Sequence, residues 1–235
     1  MSDQMPDTKP ASIALPSLLL VLSATTGLVD AASVLGLGKV FTANMTGNVV
    51  FLGFAAAGTA GFSFGPALLA LGAFMLGAWG AGRLARSHAD RPLGRWLLRA
   101  ALAEAGLLWV AAFVALGIDV GAQAPEASVL AVIALTGLAM GLRNATIRQL
   151  KVPDLTTTVL TLTITGIAAD QTGRASPNLA RRLGAVLAIF AGATIGALLL
   201  RFAGLACPLA LAGAIVLGGT IAFLCHPASA KPHGG

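Results

Sequence analysis

Charged residues are scarce in this chain, and their scarcity decides its class. Only 10% of the 235 residues are charged, 57% are hydrophobic, and the mean hydropathy is +0.86. A soluble domain carries about 25% charged residues. So few charges cannot cover a water-facing surface, so the sequence predicts an all-α integral membrane protein whose main partner is the lipid bilayer.

Tyrosine is absent, and all aromatic residues together make up 6% of the chain. Nucleic-acid surfaces interleave basic and aromatic side chains, and this chain lacks that pattern despite its net charge of +6. Its arginines are instead concentrated in one short connection between apolar runs, at Arg83, Arg86, Arg91, Arg95 and Arg99. This is typical of a cytoplasmic loop under the positive-inside rule. We therefore expect no nucleic-acid partner.

Cysteine and histidine are too few and too scattered for a metal site. Cys207 and Cys225 lie at the two ends of one apolar run, roughly 27 Å apart if that run is helical, which is beyond disulfide reach. His88, His226 and His233 lie outside the apolar runs. No phosphate loop, nucleophile elbow or HExxH motif occurs. The sequence thus predicts no cofactor, no metal and no enzymatic activity.

Eight apolar segments follow one another along the chain. They cover about 13–37, 40–60, 65–84, 97–117, 127–147, 155–170, 183–203 and 206–225. Most reach the roughly 20 residues that a helix needs to cross the hydrocarbon layer. The sixth is short and rich in threonine, and the second begins with a polar stretch at 42–48. We predict one transmembrane domain over 13–225, with disordered tails at 1–12 and 226–235.

A polar motif occurs twice within these segments. Gly27-Leu28-Val29-Asp30 is followed by a polar stretch at 41–48, and Gly141-Leu142-Arg143-Asn144 is followed by another at 155–161. Asp30 and Asn144 are 114 residues apart, and Thr46 and Thr161 are 115 apart. The spacing predicts two internal repeats, about 13–117 and 127–225.

Small residues support both the repeats and a tightly packed helical bundle. Gly77-Ala78 and Gly196-Ala197 stand in the third and seventh segments, each pair followed by an arginine. Glycine and alanine also recur at four-residue spacing in these segments, which lets helix backbones approach closely. We match Gly77 with Gly196 across the repeats. The sequence leaves a homo-oligomer open.

The basic residues discriminate between topologies. If all eight segments span the membrane, ten basic residues lie inside and five outside. If the second and sixth segments dip in and return, thirteen lie inside and only Lys39 and Arg201 outside, which fits the positive-inside rule better. If the second segment spans and only the sixth does not, the chain has seven spans, and again thirteen basic residues lie inside. Repeat symmetry favours six spans, with the two halves running in opposite directions.

The candidate path for a solute or ion is built from the two motif copies. Its residues are Asp30, Thr42, Asn44, Thr46, Gly47, Asn48, Arg143, Asn144, Thr157, Thr161 and Thr165. In this interpretation they meet near the membrane midplane, with Asp30 coupling transport to a proton or cation and the threonines and asparagines binding the solute. An anion-binding role is the hypothesis for Arg143.

A structural interpretation of the same residues stays open. Asp30 could cap a helix end or pair with Lys39 or Arg143. The polar stretch could serve only to satisfy broken backbone, and threonine hydroxyls can bond to carbonyls of their own helix. Glu104 is expected near the membrane interface.

The paired motifs resemble the YoaK-like bacterial membrane family, a domain of unknown function. The resemblance rests on Gly27-x-x-Asp30, Phe41-Thr42-x-Asn44-Met45-Thr46-Gly47-Asn48, Gly141-Leu142-Arg143-Asn144-Ala145 and Val152-Pro153-Asp154-Leu155-Thr156-Thr157-Thr158 with Thr161, and covers about 13–225. It implies a multi-pass inner-membrane protein of about six spans and supplies no substrate.

These observations favour a small-solute transporter or channel with a polar site between two repeats. The alternative is a membrane scaffold or assembly factor, for which small-residue helix faces would suffice. An intramembrane enzyme is the weakest alternative, because only Asp30, Glu104 and threonines could supply its chemistry.

Overall fold

The described part of the protein is built from helices. The structure is a computed structural model, and it describes residues 14–87, 93–150, 160–169 and 179–225. Its helices are α1 (Ala14–Gly36), α2 (Met45–Ala56), α3 (Phe64–Arg86), α4 (Leu93–Ala115), α5 (Glu126–Gln149), α6 (Leu160–Ala169), α7 (Leu179–Ala203) and α8 (Ala206–Cys225). The predicted all-α fold is confirmed. The predicted tails, 1–12 and 226–235, lie outside the described residues.

Helix length separates the membrane-crossing helices from the short ones. Within the described residues, α1, α3, α4, α5, α7 and α8 are long and apolar enough to cross a membrane. The shortest of them has 20 residues, about 30 Å of helix. α2 has 12 residues and α6 has 10, which makes them about 18 and 15 Å long. Neither short helix can cross the hydrocarbon layer alone.

α2 enters the bundle and returns to the end from which it came. Leu37 after α1, Ser63 before α3 and Gln123 before α5 line one small pocket. The Gln123 side-chain amide also donates a hydrogen bond to the Gly36 carbonyl at 3.1 Å. The end of α1, the start of α3 and the α4–α5 connection therefore share one end of the bundle, and α2 is re-entrant.

The other end of the bundle collects the remaining helix termini. One buried cluster there joins the start of α1, the start of α4, the end of α5, the start of α7 and the end of α8; its members include Leu15, Leu97, Ile147, Ala185 and Phe223. Because α5 ends and α7 begins at this end, the α6 segment between them also returns to its own side.

Basic residues identify which end is cytoplasmic. The second end carries Arg83, Arg86, Arg95, Arg99, Arg148, Arg181 and Arg182 on the described helices, whereas Lys39 and Arg201 lie towards the first. The positive-inside rule makes the second end cytoplasmic. The described helices thus follow the six-span arrangement, and the eight-span and seven-span alternatives do not fit them.

The two groups of four helices run in opposite directions and pack across each other. α1 packs mainly on α7, and α3 mainly on α5. A Cβ on Gly27 would overlap the backbone carbonyl of Ile189, and a Cβ on Gly141 would overlap that of Phe74. The two contacts are equivalent in the two repeats. Gly27 and Gly141 are the motif glycines, and their contact partners Ile189 and Phe74 are 115 residues apart, which matches the repeat spacing.

The glycines of α3 and α7 correct one sequence assignment. A Cβ on Gly77 would overlap the carbonyl of Leu138, and a Cβ on Gly192 would overlap that of Ala24. Ala24 and Leu138 are 114 residues apart, as Asp30 and Asn144 are. The structural counterpart of Gly77 is therefore Gly192, and the match to Gly196 is one helical turn out of register. Small residues recur every four positions here, so sequence alone fits either register.

Candidate functional site

A cavity of about 770 Å³ lies between the two groups of helices. We call it the central cavity. The first repeat contributes α1, the polar stretch after it and the start of α2, while the second contributes α5, the start of α6 and part of α7. Predicted path residues on its wall are Asp30, Asn44, Thr46, Gly47, Asn144 and Thr161. One cavity therefore joins motif residues that are more than a hundred positions apart.

Asp30 and Asn144 do not meet at the membrane midplane, contrary to the expectation from the sequence. Asp30 is six residues before the end of α1, about 9 Å inside the extracytoplasmic end. Asn144 is five residues before the end of α5, about 8 Å inside the cytoplasmic end. The central cavity thus extends along the membrane normal, because each motif lies in the last third of its own helix and the two helices run in opposite directions.

Asp30 holds the backbone that leads into α2. Its Oδ1 accepts hydrogen bonds from the backbone N–H groups of Thr42 at 3.2 Å and Ala43 at 2.9 Å. Asn44, the N-cap residue of α2, makes no capping hydrogen bond with its side chain. Asp30 therefore accepts hydrogen bonds from N–H groups that have no backbone partner in the re-entrant segment. It also lines the central cavity.

The two partners considered for Asp30 are engaged elsewhere. The Lys39 ammonium lies 5.2 Å from the centroid of the Phe62 ring. Arg143 forms an ion pair with Glu104. The interpretation of Asp30 as a capping group describes its contacts, and the interpretation as an ion-pair partner of Lys39 or Arg143 does not.

Asn48 and Thr42 lie behind the cavity wall, and Asn48 stabilises the same irregular backbone. The fully buried Asn48 side chain donates to the Phe41 carbonyl at 2.6 Å and accepts from the Phe41 N–H at 3.0 Å. Thr42 is fully buried, and its hydroxyl has no hydrogen-bond partner among the described residues. Gly47 is necessary here because a Cβ would come within 2.6 Å of the Phe41 ring.

Arg143 and Glu104 form a buried ionic link between helices. Arg143 is 1% exposed and Glu104 4%. Arg143 Nη1 also donates to the Leu22 carbonyl at 3.1 Å and to the Thr26 hydroxyl at 3.2 Å. The expected interfacial position of Glu104 is wrong, because its carboxylate meets an arginine on α5. Arg143 itself lies outside the cavity wall and is not placed to bind an anion there.

The threonines of the sixth segment divide between several positions. Thr161 lines the central cavity. Thr165 is exposed and lies away from its wall. Thr157 lies outside the described residues. Thr157, Thr161 and Thr165 were expected to share one polar face. Of the two that lie within α6, only Thr161 reaches the cavity wall.

Sequence analysis missed the aromatic part of the wall. Phe41, Phe51 and Phe74 all line the central cavity, as does Thr26. Phe41 stands inside the quoted motif and Phe51 follows the polar stretch, so their positions next to the polar residues are the signal that could have indicated them. Amide, hydroxyl and carboxylate groups together with rings can hydrogen-bond and enclose a small polar solute.

The described residues hold no cluster of three or more histidine, cysteine or acidic side chains that could bind a metal ion. The donors on the cavity wall are one carboxylate with amides and hydroxyls, from Asp30, Asn44, Thr46, Asn144 and Thr161. Such groups bind a solute reversibly through hydrogen bonds and charge.

Comparison with known proteins confirms the family resemblance. Residues 18–222 match the model of a family described as a protein of unknown function, DUF1275. The chain is 35% identical over 159 residues to the UPF0700 transmembrane protein YoaK of Bacillus subtilis, covering 67% of this chain and 68% of that protein. No solved structure matches the chain. With six apolar spans among its described residues, it is a multi-pass bacterial inner-membrane protein of the YoaK-like type. The chain thus belongs to the DUF1275 family.

Proposed function

We propose that this protein is a transporter or channel that carries a small polar solute or ion through the central cavity. The observation that supports this most is the shared wall, to which both repeats contribute equivalent motif residues: Asp30 with Asn144, and Thr46 with Thr161. A polar cavity costs free energy inside a membrane, so a purely structural bundle gains nothing from keeping it.

The fold supplies the arrangement that such a function needs. Two halves of opposite direction, each with a short re-entrant helix, can exchange conformations and open a shared site first to one side and then to the other. In this proposal Asp30 is the coupling group, and Asn44, Thr46 and Asn144 bind the solute. Asn48 keeps the re-entrant backbone in place.

The scaffold alternative keeps only part of its small-residue surface, since a Cβ on Gly65 or Gly72 of α3 would still meet nothing within 4 Å. It relied on small-residue helix faces that could receive another membrane protein. Gly27, Gly192, Gly77 and Gly141 are instead in contact with backbone of the same chain. We propose no enzymatic activity, since the cavity wall carries no base or nucleophile pair besides the single carboxylate of Asp30 among the described residues.

Uptake into proteoliposomes tests the proposal. Purified protein is reconstituted into vesicles, and the uptake of labelled sugars, amino acids, organic acids, amines and inorganic ions is measured in turn. Protein-free vesicles serve as the blank. We expect one class to cross faster with protein, and we expect Asp30→Asn and Thr46→Val to lower that rate at least tenfold. Thr165→Val, whose side chain lies away from the wall, is the matched control and should keep the rate. Normal transport by folded Asp30→Asn and Thr46→Val proteins would contradict the assigned site.

A further inference from the structure

A smaller pocket of about 280 Å³ lies at the extracytoplasmic end of the bundle, and we call it the outer pocket. Lys39, Gln123 and Glu126 supply its polar wall. Lys39 and Gln123 both have positive φ, at 63° and 52°, which is uncommon for residues other than glycine. Positive φ at such residues costs free energy, so contacts around this pocket must hold the backbone in place.

One side chain lines both this pocket and the central cavity. Phe51 of α2 is common to the two walls. Its ring is stacked on that of Phe41, with centroids 5.7 Å apart and planes 20° apart, and lies 5.0 Å from the Phe62 ring. Phe41 is fixed by the Asn48 amide and by contact with Gly47, while Phe62 and Phe54 pack on other parts of the Phe51 ring, so this ring is held by side chains alone.

We propose that the outer pocket is the extracytoplasmic entrance of the central cavity and that the Phe51 ring is the barrier between them. From the outside inwards, the polar side chains of Lys39 and Glu126 come first and the aromatic rings come next. Asp30, Asn44 and Thr46 of the central cavity follow. An apolar constriction between two polar compartments stops water and ions until it widens. A change of the Phe51 rotamer would widen it without moving a helix.

The inference rests on the proposed function, but its test needs no substrate. Cys207 and Cys225 are first replaced by serine, and a single cysteine is placed in the central cavity by Thr46→Cys. Intact cells then receive a membrane-impermeant thiol reagent, methanethiosulfonate ethylsulfonate, from outside. We expect slow modification with Phe51 present and at least tenfold faster modification with Phe51→Ala. Phe51→Trp should slow it further.

Two controls separate the barrier from a general loosening. Val49→Ala trims an exposed side chain of α2 that lines neither compartment, and it should leave the rate unchanged. Ser63→Cys lies in the outer pocket and should react quickly in every background. If Phe51→Ala does not fold, Phe51→Leu keeps an apolar side chain and should still accelerate the reaction.

The outcome decides the entrance separately from the transport activity. Equal rates with Phe51 and Phe51→Ala, while Ser63→Cys reacts normally, would overturn the proposal. Faster modification in Phe51→Ala combined with no transported solute would uphold the entrance and contradict the transporter. Transport that depends on Asp30 but not on Phe51 would place the entrance elsewhere.

Discussion

At the scale of single residues, Arg143 shows that the two repeats are not equivalent. Its counterpart in the first repeat is Val29, one position before Asp30 as Arg143 is one before Asn144. The arginine reaches Glu104 on α4 and Leu22 and Thr26 on α1. One side chain of the second repeat thus joins two helices of the first. Thr26 also lines the central cavity, so the link lies directly behind its wall.

Removing one partner of this link should destabilise the protein strongly. Glu104→Leu leaves the Arg143 guanidinium buried without its counter-charge, and such losses cost about 3–5 kcal/mol. The double change Glu104→Leu with Arg143→Leu removes both charges and should be markedly more stable than Glu104→Leu alone. Thermal unfolding in detergent, followed by tryptophan fluorescence, measures both. A double variant as unstable as the single one would contradict this role.

At the scale of helices, the bundle depends on two backbone-to-backbone contacts. α1 meets α7 at Gly27 and Gly192, and α5 meets α3 at Gly141 and Gly77. In lipid, apolar burial gives little drive for helix association, so close approach through small residues supplies it. These contacts also fix the distance between helices that surround the central cavity.

A side chain at either contact should separate the helices. In Gly192→Val the new Cβ would overlap the Ala24 carbonyl, and backbone cannot move aside cheaply. We expect a loss of about 1–3 kcal/mol or more in the free energy of unfolding. Gly72→Ala on α3 is the control, because its Cβ would meet nothing within 4 Å. It should be neutral or stabilising, since alanine favours helix by about 1 kcal/mol over glycine. Equal melting temperatures for the two variants would exclude a packing role for Gly192.

At the scale of the whole molecule, the described helices define a topology with a clear test. Gly61, between α2 and α3, lies at the extracytoplasmic end, while Ser87 and Arg181 lie at the cytoplasmic end. Single cysteines at these positions, in the background without Cys207 and Cys225, should react with an impermeant reagent from outside only at position 61. Modification of position 181 from outside would mean that the α6 segment crosses the membrane.

The sequence predicted the elements well where apolar length decides them. The eighth segment was placed at 206–225, as α8 is, whereas the seventh was started four residues late because Arg181 and Arg182 interrupt its hydropathy. The irregular backbone before α2 was predicted from Thr42, Asn44 and Asn48. The Arg143–Glu104 pair was not, because partners 39 positions apart meet only through helix packing that no local pattern encodes.

Because Asp30 lies inside the membrane, the energy of a charge at its carboxylate depends on the membrane voltage. Its position about 9 Å inside one end of a helix about 35 Å long means that an ion arriving from outside has crossed about a quarter of the hydrocarbon layer. If the voltage falls evenly, each 100 mV then changes the energy of a unit charge at Asp30 by roughly 0.6 kcal/mol. If Asp30 is the coupling group that we propose, its occupancy by a cation rises when the cell interior becomes more negative, so the energised state of the cell would itself favour loading from outside.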